Sequence, residues 1–67
     1  MLDIGLYRHF KGNVYEVTAI AKHSETDEEM VVYHAVANPD EFWIRPLAMW
    51  GEIVTHEGRE VQRFSKI

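Results

Sequence analysis

Two runs of strand-forming residues, 14–23 and 30–36, constrain the fold of this chain more than any other feature. In the first run apolar and polar residues alternate, except at Ile20, which is the period of a strand with one buried and one solvated face. The second run is apolar at both parities and rich in β-branched and aromatic residues, which is typical of an interior strand in a small curled sheet. Because the polar segment 24–29 separates them, the two runs predict an antiparallel hairpin.

Turn-forming residues divide the rest of the chain into short elements. Gly12 is expected to take a positive φ in a tight turn, so a strand over 5–10 should pair with the strand that begins at Val14. Pro39 marks a turn, and Pro46 ends a short strand. The remaining predicted elements are a turn over 37–41, a strand over 42–45, a helical turn over 47–52, a loop over 54–59 and an edge strand over 60–64. We therefore predict a mostly β fold, a small SH3-like five-stranded barrel or roll with one short helical turn, as a single domain over 1–67.

Length and composition limit how such a fold is stabilised. A chain of 67 residues buries a small core with a thin margin over chain entropy, so we expect a monomer or a weak homodimer. The absence of cysteine excludes disulfides and thiolate zinc sites, which leaves aromatic and aliphatic side chains to form the core. The residues that we expect to be mostly buried are Tyr15, Val17, Val31 or Val32, Ile44, Trp50 and Phe64.

Charge restricts the classes of partner. A net charge of −4 disfavours broad, non-specific binding of nucleic acid, which needs an extensive basic surface. Several Arg and Lys residues nevertheless lie in or beside the apolar runs, so the sequence allows either a local basic face or an ordinary mixed surface. No basic segment followed by an apolar run opens the chain, and no stretch approaches the roughly 20 apolar residues that cross a bilayer. These patterns predict a soluble, cytoplasmic protein with no membrane partner.

Two polar blocks resemble the signature of a known family. They are Tyr-Arg-His-Phe-Lys-Gly at 7–12 and His-Ser-Glu-Thr at 23–26, and Trp-Ile-Arg-Pro at 43–46 continues the pattern. The combination is similar to a bacterial family catalogued as domain of unknown function 1653, and the resemblance extends from Gly5 to Phe64. At Trp50 the family pattern often has Phe. The resemblance implies a compact, mostly β domain of SH3-like shape, and it implies no activity, because none is established for the family.

The polar blocks also suggest a candidate binding site. Arg8 and His23 each lie near the end of a predicted strand, and Arg45 follows Trp43 on a third strand, so these groups could converge on one rim. Guanidinium groups are forked donors for carboxylate or phosphate, and an indole ring is a flat stacking surface. The predicted ligand-binding residues are Arg8, His9, His23, Glu25, Trp43 and Arg45. The alternative is a structural turn over 23–26, in which Ser24 and Thr26 bond to nearby backbone and Glu25 pairs with Arg8 or Arg45.

Motifs for catalysis or metal binding are weaker. The four histidines have no spacing typical of a metal site, so no metal and no cofactor are predicted, and His34 is expected to be partly buried and hydrogen-bonded. Adjacent residues on a strand point to opposite faces, so His23 is poorly placed to activate Ser24.

The leading hypothesis is a non-enzymatic binding module for an anionic ligand: a nucleotide, single-stranded RNA or a peptide carboxylate. The runner-up is a protein-interaction module that uses an exposed strand edge, and a small hydrolase working from His23 and Glu25 ranks third.

Overall fold

The computed structural model describes residues 2–67, which form seven β-strands and one short helix. The elements are β1 (Gly5–His9), β2 (Val14–Lys22), β3 (Glu29–Ala35), β4 (Asn38–Pro46), α1 (Leu47–Trp50), β5 (Ile53–His56), β6 (Arg59–Gln62) and β7 (Phe64–Lys66). Five strands form an antiparallel sheet in the order β4-β3-β2-β1-β7, and β5 and β6 form a separate hairpin. Among these residues no helix has the length and apolar character needed to cross a membrane. The prediction of a mostly β fold with one short helical turn is confirmed.

The two hairpins at the centre of the sheet follow the sequence closely. Gly12 has a φ of 108° in the β1–β2 turn, as predicted from its freedom to adopt a conformation that strains other residues. The β2–β3 pairing shifts register between Val17 and Ala19, which is a β-bulge. The bulge restores Ile20 to the face that carries Val17, where it packs against the core. The break in alternation at Ile20 is therefore the sequence trace of the bulge.

Strand β4 begins earlier than the sequence predicts. The chain reverses at 36–37, and β4 already starts at Asn38, so the predicted turn over 37–41 is wrong. Ala35 pairs with Asn38 and His34 pairs with Phe42, which leaves Pro39 and its two acidic neighbours in an irregular segment of the strand. A proline is tolerated here because β4 lies at the edge of the sheet, where a missing N–H removes no ladder bond.

The core lies on one face of the five-stranded sheet and is mainly aromatic. Helix α1 follows Pro46 and places Trp50 on this face, where its ring stacks on Phe64 with 3.8 Å between centroids. Tyr7 and Tyr33 meet the Trp50 ring edge-on. The buried aromatic cluster thus connects strands from both halves of the sheet, and the small core gains the favourable geometry of aromatic pairs.

The sheet is curled but open. The guanidinium carbon of Arg45, on β4, lies 5.8 Å from the ring centroid of Phe64, on β7, so residues of the two edge strands meet across the core face. No pairing joins β4 to β7 within residues 2–67. The closed-barrel alternative of our prediction is therefore not confirmed, and the count of five strands is replaced by seven in two sheets.

The last third of the chain differs most from prediction. Residues 54–59 are predicted to form a loop, but they belong to the β5–β6 hairpin, whose turn residues Glu57 and Gly58 both have positive φ. Two positive φ values in succession are typical of a type I′ hairpin turn. The predicted edge strand over 60–64 is wrong, because β6 ends at Gln62 and β7 begins at Phe64. Arg63 makes the crossing, accepting a hydrogen bond from Phe10 N–H and donating one to the Glu52 carbonyl.

Burial agrees with prediction except on β4. Val17, Val31, Trp50 and Phe64 are buried, and Tyr15 packs partly buried against them. Ile44, by contrast, is 62% exposed, so its predicted burial is wrong. It pairs with Val32 on the face of the sheet opposite to the core, where its side chain is in contact with solvent.

Candidate functional site

Trp43 and Arg45 lie on the core face of β4. Trp43 pairs with Tyr33 and Arg45 pairs with Val31, and residues paired across a ladder share a face. Trp43 is on an edge strand and remains 52% exposed, although the strand face that carries it is the core face. Trp43 and Arg45 therefore share the core face, whereas Ile44, which we expected to be buried, lies with Phe42 on the opposite face.

Three buried N–H donors lack an acceptor. Within residues 2–67 they are Nε of Arg45, Nε of Arg63 and Nε1 of Trp50, each with almost no solvent access. The Arg45 guanidinium lies over the Phe64 ring, Trp50 stacks on it, and Arg63 precedes it in sequence. A buried donor without a partner loses its hydration uncompensated, so such groups need an explanation. Trp50 is 1% exposed and beyond the reach of a ligand, but Arg45 and Arg63 are partly exposed, so their guanidinium groups can meet an acceptor-rich group such as a carboxylate or phosphate.

His9 reports the electrostatics of the same region. Its ring contacts Phe64 edge-on at 5.0 Å between centroids, and its Nδ1 accepts a hydrogen bond from the backbone N–H of Lys11. Burial lowers the pKa of His9 below 6.5, and the positive charges of Arg63, Lys11 and Arg45 lower it further. We call Arg45, Arg63 and Lys11, which act together on His9, the cationic cluster. Two of the predicted site residues, His9 and Arg45, are brought together here.

Arg8 lies elsewhere. It is on β1 opposite Val14 and Ser65, on the face away from Tyr7 and the core. Together with His9 it borders a shallow groove of about 400 Å³ between β1, β6 and β7, which Lys66 also lines. Val14 begins β2 and His23 follows its end, so Arg8 and His23 are separated by the length of a nine-residue strand, about 26 Å. The predicted convergence of these two residues on one rim is wrong, because successive antiparallel hairpins turn at opposite ends of the sheet.

His23 and Glu25 belong to an exposed turn that stabilises itself. His23 Nδ1 accepts a hydrogen bond from Glu25 N–H, and Thr26 Oγ1 accepts one from Glu28 N–H. The expected Arg–Glu pair is wrong. The ion pairs among residues 2–67 join Arg63 to Glu52 at 2.8 Å and His34 to Glu16 at 3.1 Å, and neither includes Glu25. The alternative of a structural turn describes this block in part: Thr26 bonds to nearby backbone as expected and His23 takes the role assigned to Ser24, but Glu25 makes no ion pair with Arg8 or Arg45.

The other histidines occupy separate places. His34 is buried on the face opposite to the core, where Nδ1 lies 2.8 Å from the Ala35 carbonyl and Nε2 lies 3.1 Å from a Glu16 carboxylate oxygen. The predicted hydrogen bonding of His34 is confirmed, and its burial is greater than the partial burial that we expected. His56 packs against Phe10 from the β5–β6 hairpin. Within the described chain, no group of three histidine or acidic side chains is close enough to hold a metal ion.

Arg63 is the site residue that sequence reasoning misses. The sequence predicts it inside a regular edge strand, where alternation indicates an ordinary solvated arginine. The structure puts it at the break between β6 and β7, with its Nη2 donating to Glu52 and its Nε buried. The sequence contains one signal for this break between strands. Arg63 joins β6 to β7, which belong to different sheets, and no turn-forming residue such as Gly or Pro separates the two strands.

Comparisons with known proteins support one assignment. The chain is similar to a crystal structure of a DUF1653 protein from Bordetella bronchiseptica, with 32% identity over 98% of this chain and 87% of that one, and with a TM-score of 0.88. Among curated proteins, none matches the chain significantly. Residues 5–66 match the model of a family described as "Protein of unknown function (DUF1653)". The chain therefore belongs to the DUF1653 family.

Proposed function

We propose that this protein is a non-enzymatic binding module for a small anionic ligand with a flat ring, of which a nucleotide is the best example. The observation that carries the proposal is the Arg45 guanidinium, which lies over the Phe64 ring, takes part in no ion pair of the described chain and keeps a buried N–H donor without an acceptor, as Arg63 also does. A phosphate would accept hydrogen bonds from such donors, and charge-assisted bonds of this kind are among the strongest in proteins.

Local charge supports an anion in spite of the acidic composition. The protein carries a net charge of −4, yet the three charges that perturb His9 are all positive. Glu52 compensates Arg63 through one nitrogen, whereas Arg45 takes part in no ion pair of the described chain. Positive charges that are close together repel one another in the free protein, and a bound anion relieves that repulsion.

The exposed indole of Trp43 is the reason that we propose a ligand with a flat ring. Its indole is half-exposed and lies on the same face as Arg45, two residues earlier on the strand. Residues two apart on a strand are about 6.6 Å apart, which is close enough for one ligand to stack on the indole and reach the guanidinium. Bases stack on aromatic rings and on guanidinium planes with little sequence preference, so the surface suits a nucleotide or a short single strand.

Thermal unfolding with and without ligand tests the proposal. AMP or sulfate at about ten times the dissociation constant should stabilise the protein by about 1.4 kcal/mol, which raises Tm by about 5–10 °C for a domain of this size. Chloride at equal ionic strength provides the reference, because general salt effects act on all variants alike. Arg45→Gln should remove most of the response and leave the unliganded fold intact, because Arg45 is not an ion-pair partner in the described chain.

Arg8→Gln is the matched control. It removes one exposed arginine from the opposite face of the sheet, so it changes the net charge by the same amount without touching the cationic cluster. The response to AMP should survive this substitution. Equal responses from the native protein, Arg45→Gln and Arg8→Gln would contradict an anion site at Arg45. At equal concentrations of AMP and sulfate, a larger response to AMP that Trp43→Ala reduces to the sulfate level would support the stacking contribution.

A second candidate function is a protein-interaction module that pairs through the edge of β4. The observation that favours it is a run of three large apolar residues on an edge strand, Phe42, Trp43 and Ile44, each more than half exposed. Edge strands present unpaired backbone groups and readily accept another strand. Chemical-shift changes confined to the β4 backbone on addition of a partner, with no effect of sulfate, would favour this function over the first.

A further inference from the structure

The edge of β4 is free along one short segment. Natural edge strands are protected by prolines, charges, bulges or short length. The other edge of the sheet, β7, has three residues and ends at Lys66. The first half of β4 is protected by Pro39, by two acidic residues and by its irregular pairing, and Pro46 ends the strand. The segment that follows, Phe42–Arg45, pairs regularly with β3, is apolar up to Arg45 and has no pairing partner on its outer side in the described chain; Glu41 immediately precedes it.

We propose that a second copy of the chain pairs with this segment, β4 against β4, in an antiparallel arrangement centred on Trp43. This inference rests on the second candidate function, the use of the β4 edge, and it involves Trp43 and Arg45, which the proposed anion site also uses. A two-fold axis perpendicular to a continuous sheet brings each residue opposite a residue of the same parity, so the axis must lie midway between the two copies of one residue. The sequence Glu-Phe-Trp-Ile-Arg then determines which residue is at the centre.

With Trp43 at the centre, every pair is complementary. Glu41 lies opposite Arg45 of the second copy, Phe42 lies opposite Ile44, and the two Trp43 residues face each other. Opposite charges, aromatic pairs and aromatic–aliphatic pairs each stabilise directly opposed positions of an antiparallel ladder. The two-fold axis repeats the Glu41–Arg45 and Phe42–Ile44 pairs, so five consecutive positions are matched.

Neighbouring registers are worse. With the axis at Phe42, Glu41 meets Trp43 and Arg45 meets Pro39, which has no N–H for the ladder. With the axis at Ile44, Phe42 meets Pro46, and Arg45 meets Trp43 without an acidic partner. The charge pattern and the two prolines thus favour one register. To match this segment equally well, a strand from another protein would need the same order of one acidic residue, three apolar residues and one basic residue. A second copy of this chain has that order already.

Such a dimer solves two problems of the monomer. It joins two five-stranded sheets through their unprotected edges, and it covers part of the apolar surface of Phe42 and Ile44, which are 55% and 62% exposed. The cationic clusters of the two copies lie on the same side of the continuous sheet, because an axis perpendicular to the sheet preserves its faces. The contact is one strand wide, so we expect a dissociation constant at the weak end of specific interfaces.

Sedimentation equilibrium over a range of concentrations tests the proposal. The native protein should change from the 7.9 kDa monomer toward twice that mass between about 10 μM and 1 mM. Ile44→Lys should abolish the increase without unfolding the monomer, because the side chain is exposed. Ile4→Lys is the matched control: Ile4 is equally exposed, at 63%, but lies outside the sheet, so the dimer should persist.

A charge exchange tests the register itself. Glu41→Arg and Arg45→Glu each place like charges opposite each other twice per dimer, and each should weaken association about tenfold or more. The double variant should restore association to near the native level, because opposite charges then face each other again with the acid and the base exchanged. Failure of the double variant to recover would overturn the register centred on Trp43.

Two further outcomes separate this inference from the function on which it rests. A native protein that stays monomeric at about 1 mM, but whose β4 amide signals shift on addition of a peptide with another sequence, would overturn the homodimer and leave the edge-pairing function in place. A monomer whose β4 amides respond to no peptide, the chain's own segment 40–46 included, would overturn both. Equal loss of association in Ile44→Lys and Ile4→Lys would also overturn the homodimer, because the contact would then not involve β4.

Discussion

Phe64 is the residue whose removal should damage this fold most. Its ring is 4% exposed and stacks on Trp50 with 3° between the ring planes, while Tyr15 and Tyr33 meet it edge-on. Phe64 also begins β7, so its side chain attaches the last strand of the sheet to helix α1. Replacement by alanine leaves a cavity at the one place where both edges of the curled sheet and the helix meet.

The magnitude follows from the size of the ring and the size of the domain. Replacing a buried Phe by Ala costs about 3–5 kcal/mol in well-packed cores. A domain of 67 residues has a total stability of about 3–10 kcal/mol, from roughly 0.05–0.15 kcal/mol per residue. Phe64→Ala should therefore remove most of the stability. Phe64→Leu retains much of the volume and loses the stack on Trp50, so we expect a cost of about 1–2 kcal/mol.

Urea unfolding followed by near-ultraviolet circular dichroism measures both variants. Phe42→Ala is the matched control, because it deletes the same ring at a position that is 55% exposed on the opposite face, and it should cost less than about 1 kcal/mol. The measurement belongs at low protein concentration, so that association through β4 does not contribute. A Phe64→Ala variant with the same midpoint and slope as the Phe42→Ala variant would refute the placement of Phe64 in the core.

Two further predictions concern single groups. The pKa of His9, measured by NMR, should lie below 6.5 and should rise in Arg45→Gln, because one of the three positive charges that lower it is removed. Because the pKa of His9 is lower in the folded protein than in the unfolded chain, the stability that neutral His9 contributes is present above the unfolded pKa and is lost as pH falls from there through the folded pKa. An unchanged His9 pKa in Arg45→Gln would contradict the inclusion of Arg45 in the cationic cluster. Gly12→Ala should cost about 1–2 kcal/mol from backbone strain alone, because φ is 108° and no atom lies within 4 Å of the added Cβ. Gly51→Ala, equally unobstructed but at a φ of −92°, should be neutral or stabilising, and equal effects at the two glycines in thermal unfolding would contradict this reasoning.

The sequence predicts well those features that depend on a few neighbouring residues. Gly12 in its turn, Pro46 before the helical turn and Trp50 in the core all follow from local chemistry that no distant residue overrides. The bulge beside Thr18 leaves a readable trace as well, since Ile20 could reach the core only if one residue were inserted into the alternation. The Glu57–Gly58 turn is harder, because Glu57 adopts a positive φ that its residue type disfavours.

Errors in the candidate site arise from topology and from parity. Arg8 lies on β1 and His23 follows the end of β2, the neighbouring strand, which suggests that the two residues meet. The β1–β2 turn and the β2–β3 turn, however, lie at opposite ends of β2, and Arg8 is near the first turn whereas His23 is in the second. On β4, apolar residues occupy both parities, so alternation can separate Trp43 from Ile44 without indicating which of them faces the core. The register of pairing with β3 decides which of the two residues faces the core. That register cannot be read from the sequence of either strand alone.

The histidines of the two polar blocks share one structural role. His9 accepts a hydrogen bond at Nδ1 from the backbone N–H of Lys11, and His23 accepts one from that of Glu25, so each imidazole stabilises the turn two residues after it. A residue that completes a turn needs no ligand to account for its presence. Trp43 and Arg45 are different, because the indole is half-exposed on an edge strand and the guanidinium keeps a buried donor without an acceptor. Folding alone leaves both features unexplained, and both are accounted for if β4 binds a partner on one side and an anion on its inner face. Substitutions at Trp43 and Arg45 should therefore impair binding more than stability, whereas substitutions at His9 and His23 should loosen their turns first.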